Sequence, residues 1–381
     1  MMFASLLVLA LVATVANAHL AAFAKGMYAL GGVSGQNDLN QEDVVYPLFQ
    51  LPKSQWWFHH VNGVDNFPPA PGDFLELPAG GSFTVEIASN RGETSLSFGG
   101  KFASDWPDGK TYPENYNVDT CIISPNMHTQ NQSMAAGTAF AISYTSDIKA
   151  VTEDNLAVFT VRYHTPWKRV TSYDVPADLP ACPKGGCICA WGWVPNGCGQ
   201  PNMYMLPYRC TVTGASSTKA VGTPQPPVWC QDDPSSCTKG PKQMIYWNQA
   251  DGNNIEVSGY DNAGEFKSPA YNANCGFPDG AQNDIFTGGS SSSSGTSPKA
   301  GTTARVQAAS TATTRTTSTT STTSTKATKA TTTSTPTTTS STKTVTSSAT
   351  SSASHVPTCK PRRNRRRSAL AGHRRRGSHS F

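Results

Sequence analysis

Eight histidines occur in the 381 residues, and one of them, His19, stands directly behind Ala16-Asn17-Ala18, a small-x-small signature at which secretory leaders are cut. Meeting a histidine there by chance is about a one-in-48 event for this composition. Cleavage after Ala18 would make His19 the first residue. A terminal histidine offers two nitrogens at once, the α-amine and the ring Nδ1, which chelate a metal together. A second imidazole then completes a T-shaped set of three nitrogens. Such a set suits copper, which tops the divalent affinity order and accepts planar nitrogen ligation. The plain alternative for His19 is an exposed chain terminus without a role.

The second imidazole has four candidates, His59, His60, His128 and His164, because His355, His373 and His379 lie in the Ser/Thr- and Arg-rich end of the chain. His128 falls in a polar segment just ahead of an expected strand, in a loop able to approach the terminus. His164 ends an expected strand and reads equally as a partly buried, hydrogen-bonded residue. Adjacent His59 and His60 point in opposite directions if extended, so one of them at most is a ligand candidate. Tyr204, in Pro201-Asn202-Met203-Tyr204-Met205, has the chemistry of a weak axial ligand that blocks one face of a copper plane. In a strand Asn202 would share its face and could supply a hydrogen bond from behind. The competing reading of Tyr204 is a core aromatic beside a disulfide.

The elements that must position these groups read as strands. Between 19 and 287 the apolar residues follow a period of two, most clearly in Ser82-Phe83-Thr84-Val85-Glu86-Ile87 behind the turn Pro78-Ala79-Gly80-Gly81. Residues 74–77, 94–98, 138–144, 156–163 and 244–247 read likewise, separated by clusters of Gly, Pro, Asn and Asp. No window of helical length carries a helical stripe. The expectation is an all-β sandwich with long loops. Nine of the ten cysteines (Cys121, Cys182, Cys187, Cys189, Cys198, Cys210, Cys230, Cys237 and Cys275) fall in this part, which allows at most four disulfides and leaves the pairing open. Cys187 and Cys189 are too close in sequence to bridge each other. The ninth would meet Cys359 or stay free. A zinc site in the Cys182–Cys198 cluster ranks behind disulfides in a chain bound for an oxidising compartment.

The flanks are different material. Residues 3–16 are an apolar run too short to span a bilayer comfortably, so 1–18 reads as a signal peptide and the mature protein as secreted, soluble and free of membrane partners. Residues 288–356 are dominated by Ser, Thr and Ala and read as a disordered, O-glycosylated stalk. Residues 357–381 form a basic, Arg-rich tail, which excludes a GPI anchor. The first 287 residues carry 15 basic and 25 acidic side chains, and the remaining 94 carry 15 basic and none acidic. An acidic folded part is repelled by phosphate, which argues against nucleic acid as a partner.

The motifs together resemble a known family. His19 behind the leader, His128 in Asn126-Met127-His128-Thr129-Gln130 and Asn202-Met203-Tyr204-Met205 resemble the histidine-brace lytic polysaccharide monooxygenases. The stretches 56–65 (Trp-Trp-Phe-His-His-Val-Asn-Gly-Val-Asp), 73–81 and 274–280 are similar specifically to auxiliary activity family 14, fungal enzymes associated with xylan on cellulose. The resemblance covers residues 19–287. It implies an immunoglobulin-like antiparallel sandwich, one copper ion held by His19 and His128 with Tyr204 axial, an external reductant with O₂ or H₂O₂ as co-substrates, and a monomer acting on insoluble polysaccharide, xylan-coated cellulose. Where related braces often carry Gln or Glu near the tyrosine, this chain has Asn202.

Three other functions compete. A glycosidase needs paired carboxylates, and 25 acidic residues supply many pairs without singling one out. A non-catalytic secreted protein would use the same brace to bind or deliver copper. A carbohydrate-binding module would stack sugars on exposed aromatics such as Trp56 or Trp193. Finally, Asn131-Gln132-Ser133 is the one Asn-x-Ser/Thr sequon in the chain, so a glycan at Asn131 would sit three residues past His128.

Overall fold

The computed structural model describes residues 19–287 except 123, 196, 197, 199, 200 and 261–265. The expected signal peptide, stalk and basic tail, and Cys359, lie outside the described residues.

Among the described residues nine strands form two sheets. β1 (Ala21–Phe23), β3 (Ser82–Ala88) and β6 (Val170–Asp174) make a three-stranded sheet in the order β1-β3-β6. The second sheet runs β2-β8-β7-β4-β5-β9, from β2 (Leu75–Pro78), β8 (Tyr204–Thr213), β7 (Cys187–Trp193), β4 (Thr138–Ser143), β5 (Ala157–Arg162) and β9 (Gly280–Ala281). The faces meet through aromatic side chains. Phe83 of β3 stacks on Tyr173 of β6 at 5.5 Å and meets Phe140 of β4 edge-on at 5.1 Å. The Tyr208 hydroxyl of β8 donates to the Ala22 carbonyl of β1. The expected sandwich is therefore present, and its only α-helix among the described residues is the single turn Lys53–Trp56.

Three expectations are corrected. The sandwich is not wholly antiparallel: β2 pairs parallel with β8, Leu75 opposite Cys210. The turn after β2, with Gly80 at φ 73° and Gly81 N donating to Pro78 O, leads the chain from one sheet into the other and closes no hairpin, so β2 finds its partner far along the sequence. Residues 94–98 form no strand. Phe98, Gly99 and Gly100 follow one another in the left-handed region (φ 50°, 62° and 77°), which ends any extended run. Residues 244–247 form none either, since side chains take their backbone donors: Ile245 N donates to Tyr271 Oη at 3.0 Å and Tyr246 N to Asn254 Oδ1 at 2.8 Å.

Among the described residues four disulfides form, Cys121–Cys198, Cys182–Cys187, Cys189–Cys210 and Cys230–Cys237, and Cys275 is a buried free thiol. As expected, Cys187 and Cys189 do not bridge each other. Three of the bridges take up the cysteines of the alternative zinc cluster.

Candidate metal centre

One end of the larger sheet gathers the residues in question. Trp193, the last residue of β7, lies in register between Thr138, the first of β4, and Tyr204, the first of β8. The His128 loop feeds into Thr138, and the segment carrying Cys198 joins Trp193 to Tyr204. The Cys121–Cys198 disulfide ties these two loops together. A second link runs beside it: His128 Nδ1 bonds the Cys198 carbonyl.

That bond fixes the chemistry of His128. A carbonyl only accepts, so Nδ1 carries the proton and Nε2 keeps its lone pair. Nε2 is buried and has no hydrogen-bond partner among the described residues. Burial, with a small contribution from His19 and against the Cys198 bond, pulls the His128 pKa down to about 4. The ring is therefore neutral at ordinary pH and presents an orphaned nitrogen donor. Its backbone is held in the left-handed region at φ 49°, with Asn126 Oδ1 accepting from His128 N at 3.4 Å.

His19 is in electrostatic contact with His128. It stands half-buried ahead of the wholly buried Leu20 and β1, whose register with β3 (Ala21 opposite Ala88) anchors it at the sandwich rim. Its ring meets Tyr46 edge-on, centroids 5.0 Å apart. Tyr204 is buried, and burial raises its pKa well above the usual phenol value, so its hydroxyl keeps its proton. Its ring stacks on Trp193 at 4.7 Å and 22°, and the same indole meets His128 edge-on at 5.7 Å. Trp193 is thus packed between the two, with no exposed surface.

The other imidazoles are placed differently. His59 is fully buried in a 3-10 turn at φ 60°, and His60 is exposed with Nδ1 2.9 Å from Asp65. The pair is not extended, because Phe58 and His59 both adopt left-handed backbone, so the condition under which the two rings point in opposite directions is not met. His164 is exposed, two residues beyond β5, and not the partly buried residue of the alternative reading. Asn202 is buried with Oδ1 unpartnered among the described residues. It precedes β8 and is not a strand residue, since its neighbour Met203 spends both backbone groups on Leu48. Asn131 caps the turn Gln132–Met134, its Oδ1 accepting from Ser133 Oγ at 2.7 Å and its Nδ2 donating to Asn117 Oδ1 at 3.4 Å.

The family model for lytic polysaccharide monooxygenase AA14 matches residues 1–379. The chain belongs to this family. Among curated relatives, it is 36% identical over 313 residues to AA14 family lytic polysaccharide monooxygenase A of Trametes coccinea, covering 77% of this chain and 68% of the relative. To the B enzyme of that fungus it is 35% identical, covering 71% of this chain and 63% of the relative. To the B enzyme of Talaromyces rugulosus it is 37% identical, covering 71% of this chain and 94% of the relative. Membership makes the chain an oxidoreductase of the lytic polysaccharide monooxygenase class, whose members are generally copper-dependent and act on insoluble polysaccharide.

Against that background the carbohydrate-module reading loses its named residues. Trp56 and Trp193 are core side chains with almost no exposed surface, so neither stacks on a sugar. Sequence reasoning also missed what this AA14 chain does with Trp193, Cys198 and Tyr46, which touch His128, Tyr204 or His19. The large-small-large order of Trp191-Gly192-Trp193 is the signal available for Trp193. Nothing in sequence marks the Cys198 carbonyl.

Proposed function

We propose that the chain is a secreted copper-dependent lytic polysaccharide monooxygenase that cleaves xylan associated with cellulose, in which His19 and His128 would hold the copper, Tyr204 would be a weaker third ligand and Asn202 would support Tyr204. One observation carries the reading: His128 commits Nδ1 to a backbone carbonyl and keeps Nε2 neutral, buried and unpartnered beside His19. Among the described residues no three His, Cys, Asp or Glu side chains converge as a metal site. A metal between His19 and His128 would take its third nitrogen from the α-amine that cleavage after Ala18 exposes. The donor set, two imidazoles and an amine, fits copper.

Bound there, copper would supply the redox chemistry by which an external reductant and O₂ or H₂O₂ oxidise a sugar C–H beside a glycosidic bond, after which the hydroxylated carbon lets the bond collapse. The protein's share is geometry and protonation. The Cys198 carbonyl sets the tautomer and aim of His128. Trp193 holds Tyr204 and His128 at fixed separation. Tyr204, protonated by burial, would offer a weak neutral oxygen to a metal held by His19 and His128. Half-buried His19 lines a solvent-open groove, so a polymer chain could reach the residues that would hold the metal. Secretion is supported by four disulfides, which persist in oxidising compartments. No helix among the described residues is long and apolar enough to cross a membrane.

The decisive experiment is Cu(II) titration followed by electron paramagnetic resonance, comparing protein beginning at His19 with protein carrying one extra Ala before it. A single tight, axial, nitrogen-rich site is expected in the first and none in the second, followed by reductant-dependent release of oxidised products from xylan-coated cellulose. Equally weak binding by both would sink the copper reading. Tight copper without product release would favour a copper carrier.

A further inference from the structure

Where β3 ends at Ala88, beside the strand that follows His19, the chain turns along a groove of about 1040 Å³ that reaches His19 itself. Small-molecule sites occupy roughly 300–1,000 Å³, so this groove accommodates several linked sugar rings. Two aromatic side chains line it, Tyr46 and Phe102, 40% and 49% exposed. Neither is loose. Tyr46 is held edge-on by His19, and Phe102 edge-on by Phe98 at 5.4 Å, with the Lys101 ammonium 5.2 Å from its centroid. A ring fixed at one edge and half open elsewhere is a preorganised platform for the C–H face of a pyranose.

The charged lining is mostly acidic. Glu42 is exposed, Glu93 accepts from Ser89 Oγ at 2.6 Å, and Asp108 accepts from Tyr112 Oη at 2.7 Å and Ser124 Oγ at 2.9 Å. Lys101 is the cation in the lining, and Lys110 approaches Asp108 to 3.4 Å. Carboxylates accept hydrogen bonds from sugar hydroxyls and repel sugar carboxylates. Asn126 also lines the groove, and its Oδ1 accepts from the His128 backbone, so an occupant would touch the residue that shapes the His128 loop.

We propose that this groove is a glycan subsite that holds one neutral chain of the substrate polymer against Phe102 and Tyr46 and disfavours chains bearing uronate branches. It rests on the polysaccharide reading above and adds to it a binding surface and a charge preference.

The test is calorimetry on the full secreted protein kept metal-free with a chelator, titrated with xylohexaose and, separately, with a xylo-oligosaccharide carrying one glucuronate branch. Xylohexaose should bind, and Phe102→Ala should weaken it about two- to tenfold, the range for one aromatic contact, while Phe102→Trp retains it. The branched sugar should bind more weakly, and Glu42→Gln should narrow the gap. No binding by the parent protein, or unchanged affinity in Phe102→Ala, overturns the subsite. Equal affinity for the two sugars overturns the charge preference. Copper titration of the same proteins separates the two readings, because a protein that binds xylohexaose but no copper keeps the groove and loses only the brace.

Discussion

At the scale of single residues, the candidate centre depends on how two side chains are protonated. His128 is neutral because burial penalises the imidazolium, and its tautomer is set by a backbone carbonyl and by no other side chain. Tyr204 keeps its proton for the same reason, burial. The proposed roles of Tyr204 can be separated by one atom. Tyr204→Phe retains the ring that stacks on Trp193, so the thermal midpoint should move by only a few degrees, while the copper resonance parameters shift and affinity falls about ten- to hundredfold, the effect of a weak ligand or outer partner. Complete loss of copper in that variant would make the hydroxyl a principal ligand and overturn its assignment as a weak one.

At the scale of elements, the centre is the meeting of three strand ends with two loops. The row Thr138, Trp193 and Tyr204 is fixed by sheet register, and the loops are fixed to each other by Cys121–Cys198, which closes 77 residues. Loop-closure entropy assigns that bridge about 4 kcal/mol and the short Cys182–Cys187 bridge, closing 5 residues, about 2 kcal/mol. Replacing both Cys121 and Cys198 by Ser should therefore lower stability more in urea unfolding. It should also weaken copper binding, since the carbonyl that aims His128 loses its tether. Replacing Cys182 and Cys187 should leave copper affinity unchanged. Equal copper affinity in both variants would show that the bridge supports the fold but not the centre. β7 and β8 themselves were hard to read in sequence. Every residue of β7 is buried, which erases the two-residue alternation. β8 contains Pro207, which argues against a strand, yet its carbonyl is used by Tyr28 N.

At the scale of the whole molecule, the sandwich encloses a titratable group that the proposed mechanism does not use. His59 is fully buried, and desolvation lowers its pKa to about 4, only partly offset by Asn62. The unfolded chain, with a value near the ordinary 6.5, binds a proton at pH values where the folded chain does not. Stability from this group is therefore fully present above about pH 6.5 and is lost as the pH falls toward 4, by up to about 3 kcal/mol. Urea unfolding at pH 7 and 4.5 should show the loss, and His59→Leu should flatten that part of the pH dependence. An unaltered slope in His59→Leu would place the acid sensitivity elsewhere. The acidic surface acts on a longer range: the excess of carboxylates up to residue 287 sets the sign of what the folded part attracts.

The amino-acid sequence by itself determined the strand-rich class, the short turns rich in Gly and Pro, the limit of four disulfides and the motifs that carry the family resemblance, because period, turn chemistry and cysteine count are local properties. It also narrowed the second imidazole to four positions, with His128 among them. Only the tertiary structure decided that His128 Nδ1 is taken by the Cys198 carbonyl, that Trp193 is packed between His128 and Tyr204, that Trp56 and Trp193 are core, and that β2 runs parallel to β8. Each of these joins residues distant along the chain through a backbone atom, a ring face or a sheet register, and none of those leaves a residue-type signature for the sequence to display.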